Sequence, residues 1–148
     1  MKRIAIFDFD NTLVNTAEVI KLHGYSYDFN CLKFYGGMSR LLEKRREAGF
    51  DIMLLSARRS SSFALVQSLL LDRFGSINLK LVDRHWQKFF VIRNLSRQYD
   101  HLVFYDDMFR GEEFGERVKL WYPFFFHLRN VCYVTHDSVL KMRGLSEN

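Results

Sequence analysis

The chain is poor in residues that punctuate or staple a fold. Its 148 residues include one proline, two cysteines and eight glycines. So little proline and glycine excludes collagen-like and linker-rich designs. Cys31 and Cys132 lie far apart and in no metal-ligand spacing. Two lone thiols imply a reducing compartment and no disulfide framework. Long apolar runs are also missing: Ile52–Leu55 and Leu120–Phe126 fall far short of the ~18–20 residues a membrane helix requires. The apolar run after Met1-Lys2-Arg3 is interrupted by Asp8 and Asp10, so no signal peptide is expected and the cytoplasm is the default location. His85, His101 and His127 show no zinc spacing. There is no internal repeat and no low-complexity block.

What is present is ordinary for a globular protein: 48% hydrophobic and 26% charged residues, enough apolar surface to offset the entropy of folding. The length predicts a single domain over 1–148. The net charge is +5 and the pI about 9.3. A basic balance suits an anionic partner such as a phosphate ester, a nucleic acid or an acidic lipid; it is equally compatible with a protein that is simply basic.

Strands and helices alternate along the chain. Arg3–Phe9 carries the continuous apolar run Ile4-Ala5-Ile6-Phe7, which suits a parallel strand buried on both faces. Residues 15–37 read as a loop or small flap rich in aromatics, among them Tyr25, Tyr27, Phe29, Phe34 and Tyr35. A helix follows over Ser39–Ala48, with Ser39 as N-cap and Gly49 after its end. Phe50–Leu55 is a second buried strand. A helix over Ser62–Phe74 is closed by Gly75, and Leu79–Val82 is a short strand. Arg84–Tyr99 is a helix with Phe89, Ile92 and Leu95 on its apolar stripe. His101–Tyr105 and Asn130–Thr135 are strands, Arg110–Glu116 a loop or short helix, Ser138–Met142 a short helix, and the tail over 144–148 frays. The pattern predicts an α/β fold, an open and mostly parallel sheet with helices on both faces.

Three of these strands end in polar residues on the carboxyl side: Asp8/Asp10/Thr12, Ser56/Arg58 and Asp106/Asp107. In an open parallel sheet that edge is where ligands bind. Crowded carboxylates repel unless a cation joins them, and hard oxygen donors favour Mg²⁺. An aspartate can attack phosphorus, and a second acid two residues on can protonate the leaving oxygen and then activate water. Such a site needs a lysine to offset the negative charge. Lys88, near the start of a helix, is the better candidate; Lys80 starts a possible strand at the opposite edge.

The segment Asp8-Phe9-Asp10-Asn11-Thr12-Leu13 resembles the DxDx[T/V] first motif of haloacid-dehalogenase-like phosphohydrolases. Leu54-Leu55-Ser56-Ala57-Arg58 resembles the second motif, Lys88 the third, and Val103-Phe104-Tyr105-Asp106-Asp107 the acidic fourth. The ordered set spans about two-thirds of the chain. The resemblance implies a Rossmann-like three-layer α/β/α core. It implies Asp8 as nucleophile, Asp10 as general acid/base, and Ser56 and Lys88 as groups that hold the phosphoryl oxygens. It implies Mg²⁺ as cofactor, held through Asp8, Asp10, Asp106 and Asp107, and substrate contacts from Thr12, Ser56, Ala57, Arg58 and Lys88. Asn11 stands where the family often has glycine. Asp10 favours phosphatase over dehalogenase chemistry. Leu55–Arg58, Lys88 and Phe104–Asp107 are also similar to the RNA-repair branch of that superfamily, and loosely to the phosphatase half of bacteriophage polynucleotide kinase-phosphatase.

Neither Leu13–Gly37 nor Ser60–Gln87 leaves room for a large cap domain, so the site is expected to be open. An open site suits a phosphorylated substrate as bulky as a polynucleotide end, or a nucleotide. The alternatives are a small-molecule phosphatase capped by oligomerisation and a non-catalytic binding protein on the same fold. Arg58 could fork onto a second phosphate. The aromatic run 121–126 reads as core or an oligomer contact.

Overall fold

The computed structural model describes residues 1–107, 127–134, 138, 139, 141 and 142. The expectations for 110–116, 121–126 and 144–148 lie outside these residues. The strands are β1 (Arg3–Phe7), β2 (Asp51–Ala57), β3 (Asn78–Val82), β4 (His101–Tyr105) and β5 (Val131–Val134), with helices α1 (Thr16–His23), α2 (Gly36–Glu47), α3 (Phe63–Phe74) and α4 (Gln87–Ser96). They form one five-stranded sheet in the order β3-β2-β1-β4-β5, with every pairing parallel. The predicted α/β architecture is therefore present. No helix among the described residues is long and apolar enough to cross a membrane.

The continuous apolar runs follow from burial on both faces. Alternate residues point to opposite sides: Ala5, Phe7, Leu54, Val103 and Tyr105 pack with Val19 of α1, Met38 and Leu42 of α2, and Val66 and Leu70 of α3. Ile4, Ile6, Met53, Leu55, Leu102 and Phe104 pack with Ile92 of α4 and its neighbours Phe89, Val91 and Leu95. Phe7 and Tyr105 are register partners and stack at 4.6 Å.

Three local expectations are corrected. Residues 15–37 are not simply a loop: they contain α1 and a 3-10 turn over Phe29–Cys31. The capping of α1 is not local. Asn15, at the N-cap position, spends its side-chain oxygen on the Lys33 N–H, while Asn11 accepts from the Ala17 N–H at 2.6 Å. Helix α2 begins at Gly36, not Ser39. The Tyr35 N–H donates to the Leu13 carbonyl at 2.7 Å, which holds Tyr35 extended, and the helix starts directly after it. Ser39 is consequently a buried residue of the first turn. Helix α4 begins later than Arg84, because residues 84–88 wind as tighter i→i+3 turns, with Gln87 N–H donating to Arg84 O and Lys88 N–H to His85 O.

Candidate active site

Strand parity positions the centre. Asp8 follows β1 and continues the side of Ile4 and Ile6; Asp106 follows β4 and continues the side of Leu102 and Phe104. That is the face covered by α4. The Asp8 N–H donates to the Tyr105 carbonyl at 2.9 Å, so the β1–β4 ladder runs on into the site and fixes the two carboxylates as neighbours. The second residue of α4, Lys88, enters between them. Its Nζ lies 3.0 Å from Asp8 Oδ1 and 2.6 Å from Asp106 Oδ2, and Lys88 and Asp106 are completely buried. Lys80 is instead an exposed residue of β3, in register with Leu55.

Burial, and then the Asp106 carboxylate, push the Asp8 carboxyl far above its usual range against the opposing pull of Lys88. Burial alone would lower the Lys88 ammonium, but Asp106 and Asp8 outweigh it and hold the group charged. Thr12 ties the cluster together: its hydroxyl lies 3.4 Å from Asp8 Oδ2 and accepts from the Asp107 N–H at 3.2 Å. Asp8, Asp106 and Asp107 each offer a carboxylate oxygen, all within 4.8 Å of one another. Three converging oxygen donors fit a hard divalent cation such as Mg²⁺. Lys88 engages one oxygen each of Asp8 and Asp106, and the second oxygen of Asp8 faces the Thr12 hydroxyl.

A second constellation sits on the opposite side of the strand ends. Ser56 shares the parity of Leu54, away from α4. Asp10 Oδ1 accepts from Thr16 Oγ1 at 2.5 Å and from an Arg58 terminal nitrogen at 2.7 Å. Asp10 Oδ2 accepts from Arg58 Nε at 2.7 Å and lies 3.4 Å from Ser56 Oγ. The four acceptor positions of this carboxylate are thus all engaged. Burial would lower the Arg58 guanidinium, but Asp10 outweighs it and raises it further. Arg58 also donates to the Tyr27 hydroxyl at 2.7 Å and lies over the rings of Phe9 and Phe29. Asn11, directly after Asp10, has φ of +62°. That left-handed turn reverses the chain after β1, and asparagine tolerates it better than most residues.

The predicted residues thus separate into two adjoining groups: Asp8, Thr12, Lys88, Asp106 and Asp107 on one side, and Asp10, Ser56 and Arg58 on the other. Ala57 ends β2 and lines a cavity of about 390 Å³ beside the second group. Sequence reading missed Thr16, whose only local signal is its place at the start of α1. It also missed His85, buried at the α4 entrance and pushed down to about 3 by burial and then by the Lys88 charge.

Comparison by sequence finds no matching family model and no match among curated proteins. Comparison by structure finds the class C acid phosphatase from Bacillus anthracis, in a form with tungstate bound and in a second structure. The TM-scores are 0.54 and 0.52, at 18% and 17% identity, covering 99% of this chain and 74% of the other in both cases. At that identity the shared property is the fold.

Proposed function

We propose that the chain is a haloacid-dehalogenase-like phosphatase, a Mg²⁺-dependent phosphomonoester hydrolase that works through an aspartyl-phosphate on Asp8. The observation that carries this reading is Lys88, completely buried and bonded to both Asp8 and Asp106 at the carboxyl edge of the sheet. A buried ammonium between two carboxylates is costly to assemble for structure alone, whereas it suits a nucleophile that must approach an anionic phosphate. The fold shared with a phosphatase supports the same reading.

Asp8 would attack phosphorus as the bond to the leaving oxygen breaks, with Asp10 supplying that oxygen's proton. Water would then attack the phosphorus, give its proton to Asp10 and release Asp8 with inorganic phosphate. A bound divalent cation would neutralise phosphoryl charge; Asp8, Asp106 and Asp107 would hold it. To act as the acid, Asp10 must carry a proton on the oxygen that meets the leaving group, so one of its four present contacts must give way to make room for that O–H. Its longest contact is with Ser56. Transfer of the Ser56 hydroxyl to a phosphoryl oxygen would open that position and hold the phosphate in one movement. Thr16 and the two Arg58 bonds would keep Asp10 oriented meanwhile. The favoured substrates are nucleotides or polynucleotide ends.

Mg²⁺-dependent hydrolysis of p-nitrophenyl phosphate, abolished in Asp8→Asn, together with a beryllofluoride adduct on Asp8, is the expected result. Undiminished turnover by Asp8→Asn would remove the basis of this assignment.

A further inference from the structure

We propose that the cavity beside Asp10 is a subsite for a second phosphate on the leaving group, with an aromatic ring of that group stacked at its rim. The proposal rests on the phosphatase reading above and names the substrate class of that site.

The cavity has the size of a small-ligand pocket, about 390 Å³. It adjoins the chemistry because Thr16 and Arg58, the residues that hold Asp10, are part of its wall. Its lining is strongly biased in charge: Arg58, Arg59 and Arg84 face it, against the single carboxylate of Asp83. Arg58 is committed to Asp10 and Tyr27. Arg59 and Arg84 are exposed and stand just beyond the ends of different strands, β2 and β3, so two arginines border the cavity from separate elements. An uncharged leaving group gains little from such a wall, whereas a phosphate accepts forked hydrogen bonds from guanidinium groups. Tyr25, also lining the cavity, is 73% exposed. An exposed tyrosine at the mouth of a basic cavity offers a stacking face to a base. Second phosphate and ring together describe either a nucleoside bisphosphate or a terminally phosphorylated oligonucleotide, whose adjacent phosphodiester supplies the second charge.

The test compares kcat/KM for a nucleoside monophosphate, the corresponding bisphosphate and a short oligonucleotide with a terminal phosphate, in the native protein and in an Arg59→Ala/Arg84→Ala variant. A second phosphate held by charge-assisted hydrogen bonds is expected to raise kcat/KM about tenfold or more, and the double substitution to bring the ratio back toward one. Preference for either doubly charged compound supports the subsite, and the larger of the two gains identifies the source. Equal kcat/KM for the monophosphate and for both doubly charged compounds, or a preference that survives the double substitution, would overturn it. Equilibrium binding of the same compounds to Asp8→Asn separates the two claims. A bisphosphate preference in binding, lost on substituting Arg59 and Arg84, supports the subsite even if no phosphomonoester is turned over. The absence of turnover itself would overturn only the phosphatase reading.

Discussion

Replacing Lys88 by methionine keeps the length and apolar stem of the side chain but deletes the ammonium. Asp8 and Asp106 would then face each other in a site where both are almost fully buried, with their shared donor gone. Removing one partner of a buried ion pair costs about 3–5 kcal/mol, chiefly because the remaining charge is left uncompensated. A domain of this size has about 5–15 kcal/mol in all, so the variant should fold but with much of its margin lost. With a urea slope of about 2 kcal/mol per M, the unfolding midpoint should fall by about 2 M. Saturating Mg²⁺ should recover part of this, about 2.7 kcal/mol at a hundredfold excess over Kd, because a dication can supply the missing positive charge. Activity should not recover in parallel: loss of a donor aimed at the reacting anion costs about 10²–10³ in kcat. Urea unfolding with and without Mg²⁺, alongside phosphatase assays, checks each part. A midpoint shift below about 0.5 M in the metal-free protein would refute the view that Lys88 neutralises this buried pair.

Other consequences follow from the same geometry. Asn11→Gly should keep the left-handed turn but lose the bond to the Ala17 N–H, costing about 1 kcal/mol. Asn11→Ala should cost about 1–2 kcal/mol more through backbone strain; thermal unfolding that ranked alanine above glycine would contradict this account. His85 binds its proton less well folded than unfolded, so its contribution to stability is complete above its ordinary 6.5 and is lost as the pH falls through about 3. His85→Leu should therefore flatten the acid side of the stability profile, and in the native protein the His85 ring signals should not titrate by NMR near their ordinary midpoint. Thr16→Ala should leave Mg²⁺ affinity unchanged, since Thr16 touches Asp10 and not the three-carboxylate cluster, but should lower kcat by loosening Asp10. A large loss of Mg²⁺ affinity, measured calorimetrically, would show that the two groups are not separable.

How much of this was legible in advance varies by element. The Ile4–Phe7 and Leu102–Tyr105 runs could be read because burial on both faces demands unbroken apolar residues. The three polar strand ends could be read because an open parallel sheet gathers its carboxyl edges in one place. Helix α1 could not, since the N–H of Ala17 in its first turn is served by Asn11, outside the helix, and it buries little of its own surface. The α2 start was misplaced for a similar reason: the bond from Tyr35 to Leu13, across the flap, decides where winding begins.

By itself the amino-acid order determined the alternating α/β pattern and which polar side chains stand at the strand ends, because periodicity and residue type are local properties. Only the tertiary structure decided that Asp8 and Asp106 share one side of the sheet with Lys88 between them, that Arg58 is spent on Asp10, and that Arg59 and Arg84 border one cavity. Those are relations among strand parity, register and helix approach. They exist only once segments distant in sequence are packed together.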